Sequence, residues 1–176
     1  MKFAVYCGAA SGNQSIYQEQ AQALGQWLAK NNHELVYGGG NVGLMGALAD
    51  ACLHHGGRVT GVMPDFLIER EIAHDEISEF ICVDSMSSRK QTMIDRADVC
   101  IALPGGPGTL EEIVEAISWA RLGQTSNPCL FLNINGYYDG LQNFFQHMVG
   151  EGFLSQDDFS RIGFVNTIEA IPSFLD

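Results

Sequence analysis

Two hydrophobic rhythms alternate along this chain. Short, nearly unbroken apolar runs recur at Phe3-Ala4-Val5-Tyr6-Cys7, Leu35-Val36-Tyr37, Arg58 to Met63, Phe80-Ile81-Cys82-Val83, Val99 to Leu103, Pro128 to Asn133 and Ile162 to Val165. Runs of that length bounded by polar or glycine-rich stretches predict strands buried on both faces. Between them the apolar residues fall at helical spacing: Ile16, Leu24, Trp27 and Leu28; then Leu44, Leu48, Ala51 and Cys52; then Met86 to Ala97. The same spacing returns in Leu110, Ile113, Val114 and Ile117, in Leu141, Phe144, Phe145, Met148 and Val149, and in a short segment from Ile168 to Leu175. Asp65 to Ser78 is polar and irregular. Strands alternating with helices in this way predict an α/β fold, a doubly wound and mostly parallel sheet with helices on both faces. With no repeat or linker, residues 1–176 read as a single domain.

The stretch around which the rest is arranged runs from Asp98 to Gly123, and its centre is Leu103-Pro104-Gly105-Gly106-Pro107-Gly108-Thr109-Leu110-Glu111-Glu112. A strand enters a turn with three glycines and a helix leaves it. Glycines allow main chain to approach an anion closely, and the first helical N–H groups carry the positive end of the helix dipole. The loop is neither G-x-G-x-x-G nor a Walker A sequence. A structural reading competes with the ligand reading: Thr109-x-x-Glu112 fits a capping box, with the glycines merely turning the chain. Two other predicted strands also end in small-residue loops, Gly8 to Gly12 and Gly38-Gly39-Gly40 through Gly46. In a parallel sheet such ends converge, so the three loops are expected to line one pocket.

Charge narrows the choice of partner. The formal net charge is −12, with only nine Lys and Arg. That argues against nucleic acid or a membrane surface as partner, so an anionic ligand has to be held by a few local cations; Arg89, Lys90 and Arg96 fall just before the glycine loop. Five cysteines, Cys7, Cys52, Cys82, Cys100 and Cys129, form no C-x-x-C pair and sit mostly in apolar runs. They read as core thiols of a reducing cytoplasm. No signal peptide or membrane-length apolar segment is evident.

Taken together, these residues resemble the LONELY GUY-type cytokinin riboside 5′-monophosphate phosphoribohydrolases, a family often mislabelled as lysine decarboxylases. The family's P-G-G-x-G-T-x-x-E motif stands at Pro104 to Glu112, and its M-x-x-R-K element is Met86-Ser87-Ser88-Arg89-Lys90. Further matches are Val5-Tyr6-Cys7-Gly8, Val36-Tyr37-Gly38-Gly39-Gly40 with Gly43-Leu44-Met45-Gly46, Gly61-Val62-Met63-Pro64, Asn133-x-x-Gly136-Tyr137-Tyr138 and Glu151-Gly152-Phe153, so the likeness covers nearly the whole chain. The resemblance implies a homodimeric Rossmann-like fold that hydrolyses the N-glycosidic bond of an AMP-like nucleoside 5′-monophosphate, without cofactor or metal. It also implies Arg89 and Glu112 as the catalytic pair. Lys90, Gly105, Gly106, Gly108 and Thr109 would hold the nucleotide, with Glu71 of Arg70-Glu71-Ile72 lining the substrate site, either binding sugar hydroxyls or assisting the base, and Gly39 and Gly40 in the second glycine loop. Which base is accepted would rest on pocket shape, with Met86, Met45 or partner-subunit residues as candidates.

The chemistry is consistent with those residue types. Breaking a ribosyl C–N bond builds oxocarbenium character, which a nearby carboxylate stabilises. Other candidates read as structural: His54-His55 as a helix end, His33, His74 and His147 as lacking ligand-spaced partners, and Asp50 and Asp139 as a solvated residue and a cap. A pyridoxal-type decarboxylase needs a Schiff-base lysine, and of Lys2, Lys30 and Lys90 only the last is near the expected pocket. A non-catalytic nucleotide or cofactor carrier on the same fold is the alternative reading.

Overall fold

The computed structural model describes residues 1–68 and 72–175. Seven strands, β1 (Lys2–Tyr6), β2 (Glu34–Tyr37), β3 (Val59–Pro64), β4 (Glu79–Val83), β5 (Val99–Ala102), β6 (Cys129–Leu132) and β7 (Ile162–Val165), form one sheet of order β4-β3-β2-β1-β5-β6-β7. Every neighbouring pair is parallel. The helices are α1 (Ser15–Lys30), α2 (Gly43–His54), α3 (Met86–Asp95), α4 (Pro107–Arg121), α5 (Asp139–Gly150) and the short α6 (Gln156–Ser160) and α7 (Ile171–Leu175). The apolar runs and the helical spacings therefore fall where the sequence places them, apart from α6. Ser155 caps α6, accepting from the Asp158 amide at 3.0 Å, a start signal present in Ser155-x-x-Asp158.

The strands read as unbroken apolar runs because side chains alternate between two cores. Phe3, Val5, Val99 and Ile101 pack with Leu24, Leu28, Leu48 and Cys52 of α1 and α2. Ala4, Tyr6, Cys100 and Ala102 pack on the other face with Met93, Ile113, Ile117 and Phe145 of α3, α4 and α5. Neither layer would close without the other, so the doubly wound sheet is the least exposed arrangement of this pattern.

The connection order creates a switch. From β1 the chain steps outward through β2, β3 and β4, then crosses back to pair β5 with the other edge of β1. At the carboxyl ends of β1 and β5 the loops leave in opposite directions and open a crevice.

Candidate active site

The helix after β5 begins earlier than a capping box requires. Gly106 is the N-cap of α4, Pro107 occupies its first turn, and no side chain caps it. Thr109 is thus inside the first turn and Glu112 in the second, so neither closes the other's N-terminus; the capping-box reading is corrected. Proline there forfeits only an amide that would be unpaired anyway. The open first-turn amides remain as an anion-attracting end. Leu110 makes the first helical bond, its amide donating to the Gly106 carbonyl at 3.2 Å.

Two kinds of glycine occupy this loop. A Cβ on Gly105 would run into the Thr109 side chain and come within 2.9 Å of the Gly8 amide, so packing dictates glycine there. At Gly106 and Gly108 a Cβ would meet nothing within 4 Å, and neither has a positive φ. Fold packing therefore does not explain those two. Both line a cavity of about 260 Å³.

The three small-residue loops meet at this cavity. Gly8 and Ala9 after β1, Gly38 and Met45 after β2, and Gly106, Gly108 and Thr109 after β5 all contribute to its wall. The loops are tied together by main chain: the Gly8 amide donates to Pro104 O at 3.1 Å and the Leu44 amide to Gly8 O at 3.1 Å.

Arg89 and Glu112 also line this cavity, brought there by α3 and α4. Ser85 starts α3 by accepting from the Ser88 amide at 3.1 Å, and one turn later Arg89 is only 4% exposed. Its Nε donates to Val62 O at 3.0 Å and its Nη2 to Gly38 O at 2.8 Å. Hydrogen bonds to a buried cation are the strong kind, so the guanidinium is fixed against two strand ends. Gly38 has no side chain because a Cβ there would overlap that guanidinium. Glu112 is half-buried. Beneath it, burial first, then the Cys100 thiol and the Glu112 carboxylate, hold the Tyr6 phenol well above its ordinary range, so it stays protonated.

The other expected residues divide. Met86 lines the cavity and its sulfur lies 3.9 Å from Arg89 Nη1. Lys90 points elsewhere: its ammonium bonds Glu111 at 2.8 Å and Glu115 at 2.6 Å, clipping α3 to α4. Those two bonds raise its pKa, Glu111 first. Gly39 and Gly40 support the site from outside. Gly39 takes φ +83° and its carbonyl accepts the His74 amide at 2.9 Å, while Gly40 bridges to Ala73. Gly105 is likewise behind the wall, its carbonyl accepting from the Tyr137 hydroxyl at 2.7 Å. Glu71 lies outside the described residues.

Two contributors escape a sequence reading. Leu67 and Met93 line the cavity, yet each looks like an ordinary residue of its own segment. Tyr6 and Cys7, which also line it, stand in the Val5-Tyr6-Cys7-Gly8 stretch that carries part of the resemblance, at the end of β1 where ligands sit in such a sheet. His74 is buried, with Nε2 at 2.9 Å from Asp50 and Nδ1 accepting the Glu76 amide at 3.3 Å; Asp50 is thus its partner and not merely solvated. His55 Nδ1 lies 2.8 Å from Ala51 O at the end of α2. Asp139 accepts from Asn133 at 2.7 Å, and Asn133 in turn accepts the Tyr138 amide at 2.6 Å.

Fold and site together define an α/β protein with a glycine-loop helix start at the sheet's switch point and a carboxylate and a guanidinium in the same cavity. Comparison with known proteins narrows this. The family model described as possible lysine decarboxylase matches residues 45–174. A cytokinin riboside 5′-monophosphate phosphoribohydrolase of Arabidopsis thaliana is 49% identical over 155 residues, covering 88% of this chain and 71% of the relative. A second Arabidopsis enzyme of that name is 46% identical over 155 residues, with 88% and 72% covered. The chain belongs to the LONELY GUY family.

The solved structures echo the fold at greater distance. The molybdenum cofactor carrier protein of Chlamydomonas reinhardtii superposes with a TM-score of 0.74 at 19% identity, over 99% of this chain and 97% of that one. DNA processing protein A of Helicobacter pylori gives 0.66 at 14% identity, over 99% and 80%. At such identity they bear on the fold alone.

Proposed function

We propose that this chain hydrolyses the N-glycosidic bond of an adenosine or cytokinin nucleoside 5′-monophosphate, releasing free base and ribose 5-phosphate. The observation that carries the reading is the placement of Arg89 and Glu112 in one cavity at the open start of α4. The names of the relatives at 49% and 46% identity support it.

The 5′-phosphate sits at the first turn of α4, against Gly106, Gly108 and Thr109, where the helix dipole and unpaired amides favour an anion. Absent side chains at Gly106 and Gly108 are then explained by the ligand's approach. Glu112 lies six residues beyond Gly106, about 9 Å along the axis, and helical side chains lean back toward the N-terminus. Its carboxylate thus reaches the neighbourhood of C1′. As the C–N bond breaks, positive charge grows on the sugar ring and the carboxylate stabilises it; water adds to C1′ and the base leaves with a proton. Arg89 is preorganised by its bonds to the Val62 and Gly38 carbonyls and supplies a fixed positive charge that orients substrate oxygens. Met45, Met86 and Met93 give the cavity an adaptable apolar wall suited to a base. Lys90 serves this machinery by holding α3 against α4. A pyridoxal-dependent decarboxylation has no amine to use, since none of the three lysines lines the cavity.

The active unit is a homodimer using exposed apolar residues of α4 and α5, Leu110 and Phe144 among them. Its five cysteines are free thiols, four of them buried, which suits a cytoplasmic enzyme.

The test is chromatography of AMP and N6-isopentenyl AMP after incubation with the parent and with Glu112→Gln. Gln keeps the shape and removes the charge. The parent is expected to release free base, and the variant to melt at the same temperature while losing at least about a hundredfold in kcat, the scale of one transition-state electrostatic contact. A parent that binds nucleotide but releases no base from any monophosphate overturns the hydrolase reading in favour of a carrier.

A further inference from the structure

Four consecutive carbonyls of the glycine loop are each bonded to protein. Leu103 O accepts from the Tyr138 hydroxyl at 2.7 Å, Pro104 O from the Gly8 amide at 3.1 Å, Gly105 O from the Tyr137 hydroxyl at 2.7 Å and Gly106 O from the Leu110 amide at 3.2 Å. None of the four presents its negative end to the cavity. Three of the bonds come from structure that would form regardless: a buried tyrosine, a strand-end amide and the helix itself. The Tyr137 bond differs, because this side chain is 45% exposed and lies outside the cavity wall.

Peptide geometry gives that bond a consequence. In a planar trans peptide the carbonyl of residue i and the N–H of residue i+1 point in opposite directions. Holding the Gly105 carbonyl outward toward Tyr137 therefore turns the Gly106 N–H toward the cavity that Gly106 lines. Glycines flank this peptide on both sides. Flipping it would carry Gly106 from its present φ of −87° into the positive region, which glycine tolerates and other residues do not. The flipped peptide would aim a carbonyl oxygen at the phosphate position. Glycine at this site thus carries a hazard, and something has to hold the peptide.

We propose that Tyr137 is a positioning residue whose hydroxyl locks the Gly105–Gly106 peptide in the phosphate-binding orientation, and so sets the enzyme's affinity for the 5′-phosphate. The ring is held for this task by the edges of Tyr17, at 5.8 Å and 76°, and Tyr138, at 4.9 Å and 89°. The proposal rests on the nucleotide reading above, but its own test does not need cleavage.

The test is Tyr137→Phe, which deletes the hydroxyl and keeps the ring contacts. Binding of inorganic phosphate to parent and variant is measured by titration calorimetry, alongside melting temperature and, where base is released, kcat and KM. Phosphate binding is expected to weaken by about tenfold, the scale of one hydrogen bond to a charged group. KM for AMP should rise by the same factor while kcat stays within about twofold and the melting temperature holds. A merely structural tyrosine would instead lower the melting temperature and leave phosphate affinity in place. Phosphate affinity within about twofold of the parent, a loss confined to kcat, or a parent that binds no phosphate would each overturn the proposal. Cleavage of no nucleotide by the parent, with the phosphate difference intact, would overturn only the proposed reaction.

Discussion

At the scale of single residues, two glycines in the same cavity wall answer to different constraints. Gly38 is compelled by its neighbours: a Cβ would overlap the Arg89 guanidinium and come within 3.0 Å of the Met45 sulfur. Gly108 is compelled by nothing in the protein, since its Cβ direction is open. The same substitution should therefore act oppositely on stability. Gly38→Ala is expected to lose about 1–3 kcal/mol by overpacking and to displace Arg89, lowering kcat. Gly108→Ala should gain up to about 1 kcal/mol from helix propensity while raising KM, because the methyl occupies the phosphate's approach. Thermal denaturation and steady-state kinetics on both variants check this, and a Gly108→Ala enzyme with parental KM would contradict the site.

The residue scale is also where the sequence was most and least legible. Arg89, Glu112 and the loop glycines stand in recognisable order, because chemistry at a helix start constrains adjacent positions. Gly38 is marked as a loop glycine, but its contact with Arg89 is not: the partner lies 51 residues away, and only the fold brings the two together. Tyr137 and Gly105, 32 apart, present the same difficulty. Lys90 misleads in the other direction, because adjacency to Arg89 suggests a shared task, yet successive residues of a helix point about a hundred degrees apart. One reaches the cavity and the other the flank of α4.

Elements carry the next layer of constraint. The glycine-rich start of α4 reads as a cap at Thr109 in sequence, but the helix begins at Pro107, so Thr109 is buried within the first turn. Boundaries shift this way because a helix extends as far back as its backbone permits, and proline at the first position permits it. On the other side of the sheet, α2 buries Cys52 completely against α1 and the strands, and burial pushes its thiol up to about 11. In the unfolded chain that thiol ionises at its ordinary value of 9.0. Above that pH the unfolded state binds fewer protons than the native state, so stability falls as pH rises from about 9 to about 11. Cys52→Ala should flatten that decline by about 2 kcal/mol over the window, read from urea denaturation at stepped pH. An unchanged slope in the variant would show that other buried groups account for the alkaline loss.

For the whole molecule the organising fact is the strand order. Stepping out to β4 and returning to β5 sets the ends of β1 and β5 side by side, and the loops after β1, β2 and β5 then share one cavity. With a net charge of −12, the protein presents few cations, and among the described residues the one that lines this cavity, Arg89, is buried. The proposed capture of a phosphate would therefore depend on oriented amides more than on surface charge. Apolar residues remain exposed around α4 and α5, with Phe144 at 53% and Leu110 at 39%. If these meet a second copy, sedimentation should give the mass of two 19.2 kDa chains, and Phe144→Glu should shift the species toward the monomer with folding intact. A parent that sediments as a single chain at micromolar concentration would remove the dimer from the proposal.

What the sequence alone determined was everything governed by local periodicity and local chemistry: seven strands, the principal helices, the parallel α/β class and the glycine-rich start of the helix after β5. Those follow from short unbroken apolar runs and from a repeat of about 3.6 residues, which a chain displays without knowing its neighbours. Tertiary structure alone decided which residues became the wall. It turned Arg89 onto Val62 and Gly38, drew Lys90 away to Glu111 and Glu115, placed Tyr6 in the core beneath Glu112's helix, and set Tyr137 behind Gly105. The physical reason is that such contacts join segments tens of residues apart, and their geometry exists only once the sheet has fixed how its strand ends lie together.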